Sequence, residues 1–126
     1  MKRYSYAAIA LGLLSPTAVF PITGNDLYDE CLSDEATRQN FCFGYTVGMI
    51  EGLSYGAAAV FASNSDPSIV AKNMQTVLRY CLPETATNGQ MVDVVKAFLA
   101  ANPSIRHEPA EMLIYLAMAS AFPCPK

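Results

Sequence analysis

Chemistry in this chain would have to come from four cysteines, one histidine and eleven carboxylates spread over 126 residues. Cys31, Cys42, Cys81 and Cys124 are even in number and show no Cys-x-x-Cys spacing, and His107 is distant from all of them in sequence. Zinc sites favour close cysteine pairs or clustered histidines, so the set reads as two disulfides, with zinc as the lesser alternative. His107 stands between Arg106 and Glu108 just before Pro109, where it is either an exposed turn at a helix entry or a contact residue. It has no second histidine, no Gly-x-Ser-x-Gly elbow and no phosphate loop to work with. Glu51 is the only charged residue between Arg38 and Asp66, and a lone acid cannot run paired-carboxylate catalysis. Tyr45 and Tyr55 are its expected hydrogen-bond partners. The residues therefore point away from an enzyme, and away from any cofactor or metal.

What remains is surface. Asp26, Asp29, Glu30, Asp34 and Glu35 fall within ten residues, as either a solvated face or a docking surface for a cationic partner. The turn Arg106, His107 and Glu108 and the turn from Ser63 to Asp66 complete the candidate partner surface. Lys2 and Arg3, the apolar run Ala7 to Leu14 and the small or turn-forming residues Ser15 to Ala18 read as a secretory signal peptide over residues 1–20. Its cleavage point is uncertain, and an uncleaved anchor is the alternative. The domain behind it, residues 24–126, then carries six basic against eleven acidic residues, which argues against nucleic acid as a partner.

These residues must be positioned by helices. Gly44, Gly48, Gly52 and Gly56 recur every four residues between Phe41 and Ala62, and on a helix they form a shallow groove roughly 18 Å long. A glycine inside a helix costs about 1 kcal/mol against alanine, so the ladder predicts helix packing by a close neighbour. The opposite face, Phe43, Val47, Ile50, Leu53 and Phe61, is also apolar, which suits either a buried central helix or a membrane span. Glu51, Thr46, Ser54 and the cysteine set favour the central helix of a soluble bundle.

A short helix through Leu27, Tyr28 and Cys31 precedes it, with Ser33 or Thr37 as the expected cap of the glycine helix. Asp66 and Pro67 start a third helix carrying Val70, Met74, Val77 and Leu78. Thr87 and Gln90 have capping-box spacing ahead of the stripe Met91, Val94, Val95, Phe98 and Leu99. Asn102 and Pro103 stop that helix, and Pro109 starts the last, which Pro123 ends. No strand alternation appears. The fold class expected is all-α: a small disulfide-stabilised bundle of four to five helices around the glycine ladder. The alanine-rich last helix is expected in the glycine groove. Up-and-down alternation would bring the cysteines towards one pole. Of the three connectivities, Cys42 with Cys81 and Cys31 with Cys124 is preferred.

The ordered set of Cys31, Phe41-Cys42-Phe43-Gly44-Tyr45 through Gly48 and Glu51-Gly52, Cys81-Leu82-Pro83 leading to Thr87-x-x-Gln90, Asn102-Pro103, His107-Glu108-Pro109-Ala110 and Ala121-Phe122-Pro123-Cys124 resembles one family. It is similar to the small helical periplasmic immunity proteins of type VI secretion, the Tai-like (type VI amidase immunity) and resistance-associated proteins. The resemblance covers nearly all of the chain behind the signal segment. The stretch from Asp66 to Tyr80 departs from it, being longer than such domains usually have. The resemblance implies a periplasmic protein without membrane anchorage that binds and blocks a peptidoglycan-cleaving amidase effector, often as a homodimer. From another class, a periplasmic holdase chaperone or a structural envelope protein is the alternative. A single histidine gives the chaperone reading little titration near neutrality.

Overall fold

The computed structural model describes residues 21–63 and 66–125. The signal-peptide reading of residues 1–20 lies outside them, as do Asn64 and Ser65 of the predicted turn. Among the described residues five α-helices follow in order: α1 (Gly24–Leu32), α2 (Ala36–Val60), α3 (Pro67–Leu78), α4 (Asn88–Ala101) and α5 (Ala110–Ala121). A single 3₁₀ turn, Pro103–Ile105, separates the last two. Among the described residues there is no strand, only the isolated bridges Thr23–Pro109 and Tyr80–Pro123. The protein is a disulfide-stabilised all-α fold.

The helices α1, α3 and α4 begin where the sequence offers a side-chain oxygen to an unpaired N–H. The Thr23 hydroxyl accepts from the Asp26 N–H at 3.2 Å, and the Asp26 carboxylate accepts from the Thr23 N–H at 2.9 Å, closing a capping box on α1. The Asp66 carboxylate accepts from the Ser68 N–H at 2.9 Å ahead of Pro67, and Thr87 accepts from the Gln90 N–H at 3.2 Å. The other two helices have no side-chain cap: α5, with Pro109 at its N-cap position, sends the Ala110 N–H to the Ile22 carbonyl at 2.8 Å, and α2 has Glu35 at its N-cap position rather than Ser33 or Thr37. Ser33 instead accepts from the Glu35 N–H one step earlier, at 3.1 Å.

The core fills the space between α1, α2, α4 and α5. Leu27, Ile50, Val95, Leu99, Leu113, Ile114 and Met118 are fully buried there. Burying a side chain of this size contributes on the order of 1.5–3 kcal/mol. Leu113 and Ile114 belong to the stripe Ala110, Leu113, Ile114, Ala117 and Met118, whose helical spacing turns one face of α5 inward. Backbone bonds tie the start of α1 to the turn before α5: Gly24 N–H to the Glu108 carbonyl at 2.9 Å, Asn25 N–H to the Arg106 carbonyl at 2.8 Å. Gly24 is the glycine this packing requires. A Cβ there would run into the Leu113 side chain and sit 3.0 Å from the Arg106 carbonyl oxygen.

The disulfides join Cys31 to Cys42 and Cys81 to Cys124, not the pairing preferred from the sequence. Helix length is the reason. With 25 residues α2 runs about 37 Å, whereas the 12 residues of α3 span about 18 Å. The return helix therefore brings Cys81 only part of the way back towards Cys42. Cys81 meets the chain end instead: its N–H donates to the Phe122 carbonyl at 2.8 Å. Cys31, at the end of α1, closes the tight α1–α2 corner with Cys42.

Candidate partner-binding surface

The side of α2 that faces the core presents Cys42, Thr46, Val47, Ile50 and Ala57. One helical step round from these, the glycines fall on the outside. No atom would come within 4 Å of a Cβ placed at Gly44, Gly48, Gly52 or Gly56. Among the described residues no helix lies in the groove, so the expectation that α5 would occupy it is not met. The reason is visible in α2 itself. Its packing against α1, α3, α4 and α5 leaves the glycines uncovered, and a second packed face would need another layer of structure.

The uncovered face is apolar. Phe41 and Tyr55 on α2, Val60 at its end, Val77 on α3, and Met112 and Leu116 on α5 are all exposed. A groove of about 390 Å³ runs between Gly52, Gly56 and Val60 on one side and Val77, Leu78 and Tyr115 on the other. Phe41 stacks on Tyr45 with ring centroids 5.7 Å apart. Glu51 is exposed on this face, and its expected partner looks elsewhere: the Tyr45 hydroxyl donates to Glu111 of α5 at 3.4 Å. Burial raises the Tyr45 phenol above its ordinary range, and the neighbouring Glu111 charge adds to the effect.

The acidic stretch divides into structural and free members. Asp26 is spent in the α1 cap, and its bonds from Thr23 hold its carboxyl below the usual carboxylate range. Glu30 accepts from Arg38 at 3.0 Å across the α1–α2 corner, which raises the guanidinium further. Asp29, Asp34 and Glu35 are exposed. The second predicted surface, Arg106 to Glu108, is likewise half structural. Arg106 donates from Nε to the Leu99 carbonyl at 2.6 Å, closing the end of α4, and its guanidinium lies 3.8 Å over the Tyr28 ring. His107 is exposed and pairs with Glu108 at 3.3 Å. Through the Gly24 and Asn25 backbone bonds the two surfaces meet at the Asp26 end of α1. The glycine face lies on α2, with Phe41 reaching towards Glu30 and Arg38 at the α1–α2 corner.

Two buried hydroxyls were not legible from the sequence. Thr46 Oγ1 and the Tyr80 hydroxyl have no hydrogen-bond partner among the described residues. Tyr80 sits under α3 in a second groove of about 210 Å³ with Ser54, Met74, Gln75, Leu78 and Leu82, its ring edge-on to Tyr115. Burial raises its phenol pKa; nearby Ser54 pulls the other way, though no hydrogen bond of acceptable geometry joins the two. The Ser54 hydroxyl donates to the Ile50 carbonyl at 3.0 Å. Among the described residues, no group of three histidine, cysteine, aspartate or glutamate side chains is placed to hold a metal ion. No helix there is long and apolar enough to cross a membrane.

A family model described as Rap1a immunity proteins matches residues 23–124. No curated protein and no solved structure matches.

Proposed function

The chain belongs to the Rap1a immunity protein family, and from that premise we propose that it binds and inhibits a peptidoglycan-cleaving amidase effector of type VI secretion in the periplasm. An immunity protein acts on a cognate effector by binding it. The family match over residues 23–124 carries the reading. Two disulfides with no free cysteine among the described residues suit an oxidising compartment. The amidase target rests on the ordered motif set from Cys31 to Cys124. The acidic corner of α1 and α2, with Asp29, Asp34 and Glu35 exposed, is the surface we assign to a cationic cleft.

The uncovered glycine ladder has a separate use in this proposal: a second copy of the chain packs its own α2 against it, giving a homodimer. Glycines at four-residue spacing allow two helix backbones to approach closely. The test of function is a purified amidase effector encoded beside this protein, assayed for peptidoglycan cleavage with increasing amounts of the oxidised protein. Stoichiometric loss of cleavage is expected. Undiminished cleavage with no complex at micromolar concentration overturns the amidase reading. If the protein then keeps acid-denatured proteins soluble, it is a holdase.

A further inference from the structure

We propose that α3 is a hinged flap, opening from the C-terminal half of α2 while the rest of the bundle stays folded. The inference is independent of which effector is bound. Of its twelve residues only Leu78 is buried, and α2 is the one helix against which α3 packs substantially. A helix of this length is marginal in water without tertiary support, so it is held chiefly by Leu78, with Met74 partly buried against the core beside it. Leu78 stands between the two grooves, of about 390 and 210 Å³, and lines both.

Beneath the flap lies a reason for it to open. The Tyr80 hydroxyl is buried without a hydrogen-bond partner among the described residues, and Met74, Gln75 and Leu78 of α3 line the groove around it. A buried polar group left unpaired opposes the closed state, and water reaches it once α3 lifts. The pivot is equally local. Arg79, the only non-glycine residue with positive φ among those described, has φ 57° and ends α3 with its N–H on the Gln75 carbonyl at 2.9 Å. Immediately beyond it the chain is fixed by the Tyr80–Pro123 bridge, the Cys81–Phe122 backbone bond and the Cys81–Cys124 disulfide. At this end of α3 rotation is taken up at Arg79. Elements with few buried contacts open locally at a fraction of the global unfolding free energy.

Native-state hydrogen exchange on the oxidised, full chain tests this. Amides from Ala71 to Leu78 should exchange at least about a hundredfold faster than those around Val95 and Leu113, through an opening nearly insensitive to added denaturant. Val95→Ala, which weakens the core, should speed exchange in α4 and α5 and leave α3 unchanged. Tyr80→Phe should slow exchange of α3 by about tenfold, because the closed flap no longer hides an unpaired hydroxyl. Exchange of α3 at the rate of α4, moving with it in Val95→Ala, overturns the flap. So does a Tyr80→Phe protein in which α3 exchanges as fast as before or faster.

Discussion

Five glycines in this chain show that the same residue can be required in one place and merely tolerated in another. At Gly24 a methyl group would collide with Leu113 beside the Arg106 carbonyl, so Gly24→Ala should destabilise the protein by about 1–3 kcal/mol. At Gly48 and Gly52 a methyl group meets nothing within 4 Å. Alanine there should stabilise the monomer by about 0.5–1 kcal/mol per site, because helix propensity is then the only term left. Denaturant titration of the three variants decides it, and a destabilised Gly48→Ala monomer would show that a neighbour fills the groove after all. The spacing of the ladder was plain in the sequence, but which side of α2 would be covered was not, since both sides are apolar. Gly24 gave no such signal, because the need for it comes from Leu113, 89 positions later in the chain. Single carboxylates also set a pH dependence. The Asp26 carboxyl is held below its ordinary range by Thr23, so its contribution is present above the unfolded-state pKa and is lost as pH falls through the folded-state value. Tyr45 has the opposite sense: its raised phenol favours the fold below the ordinary tyrosine pKa, and that support is lost as pH rises through the raised value. Thr23→Ala should flatten the acid limb of a stability-against-pH curve while leaving the alkaline limb unchanged.

At the scale of whole helices, most boundaries were written locally and most neighbours were not. Thr87, Asn102 with Pro103, Asp66 with Pro67, and Pro109 each mark a helix end found in the structure, because caps and proline act within one turn of their own position. The disulfide pairing depends instead on how far α3 returns along α2, a product of two helix lengths and a crossing that no local signal carries. The observed pairing makes the two bridges unequal. Cys31–Cys42 closes a sequence separation of 11 and Cys81–Cys124 one of 43. In the chain-entropy account the longer loop stabilises by about 1 kcal/mol more. Replacing Cys81 and Cys124 together with serine should therefore lower stability further than replacing Cys31 and Cys42. It should also free Tyr80 and Pro123 to separate, so that α3 loses the fixed point behind its pivot. Equal losses in thermal melts of the two double variants would mean that the bridges act by holding native contacts rather than by limiting the unfolded chain.

For the molecule as a whole, the decisive feature is that its two distinctive surfaces have different characters. The exposed face of α2 is mainly apolar and grooved, whereas the α1–α2 corner presents Asp29, Asp34 and Glu35 on a chain whose formal net charge is −3. Charged patches chiefly set association rate and specificity, while apolar patches set how long a complex lasts. The two proposed partners should accordingly respond to different substitutions. Gly48→Leu fills the groove and should convert a dimer to a monomer by sedimentation, with inhibition of the effector largely retained. Replacing Asp29, Asp34 and Glu35 with lysine should leave the oligomeric state alone. It should slow association with a cationic effector by about tenfold at low ionic strength and weaken the dependence of that rate on salt. Glu30 is left out of this set because its bond to Arg38 holds α1 against α2, and its loss would confound folding with binding. Stopped-flow mixing at several salt concentrations reads the rate directly. An association rate unchanged by the triple reversal would remove the acidic corner as the docking site. If Gly48→Leu then abolished inhibition, the glycine face would be where the effector binds.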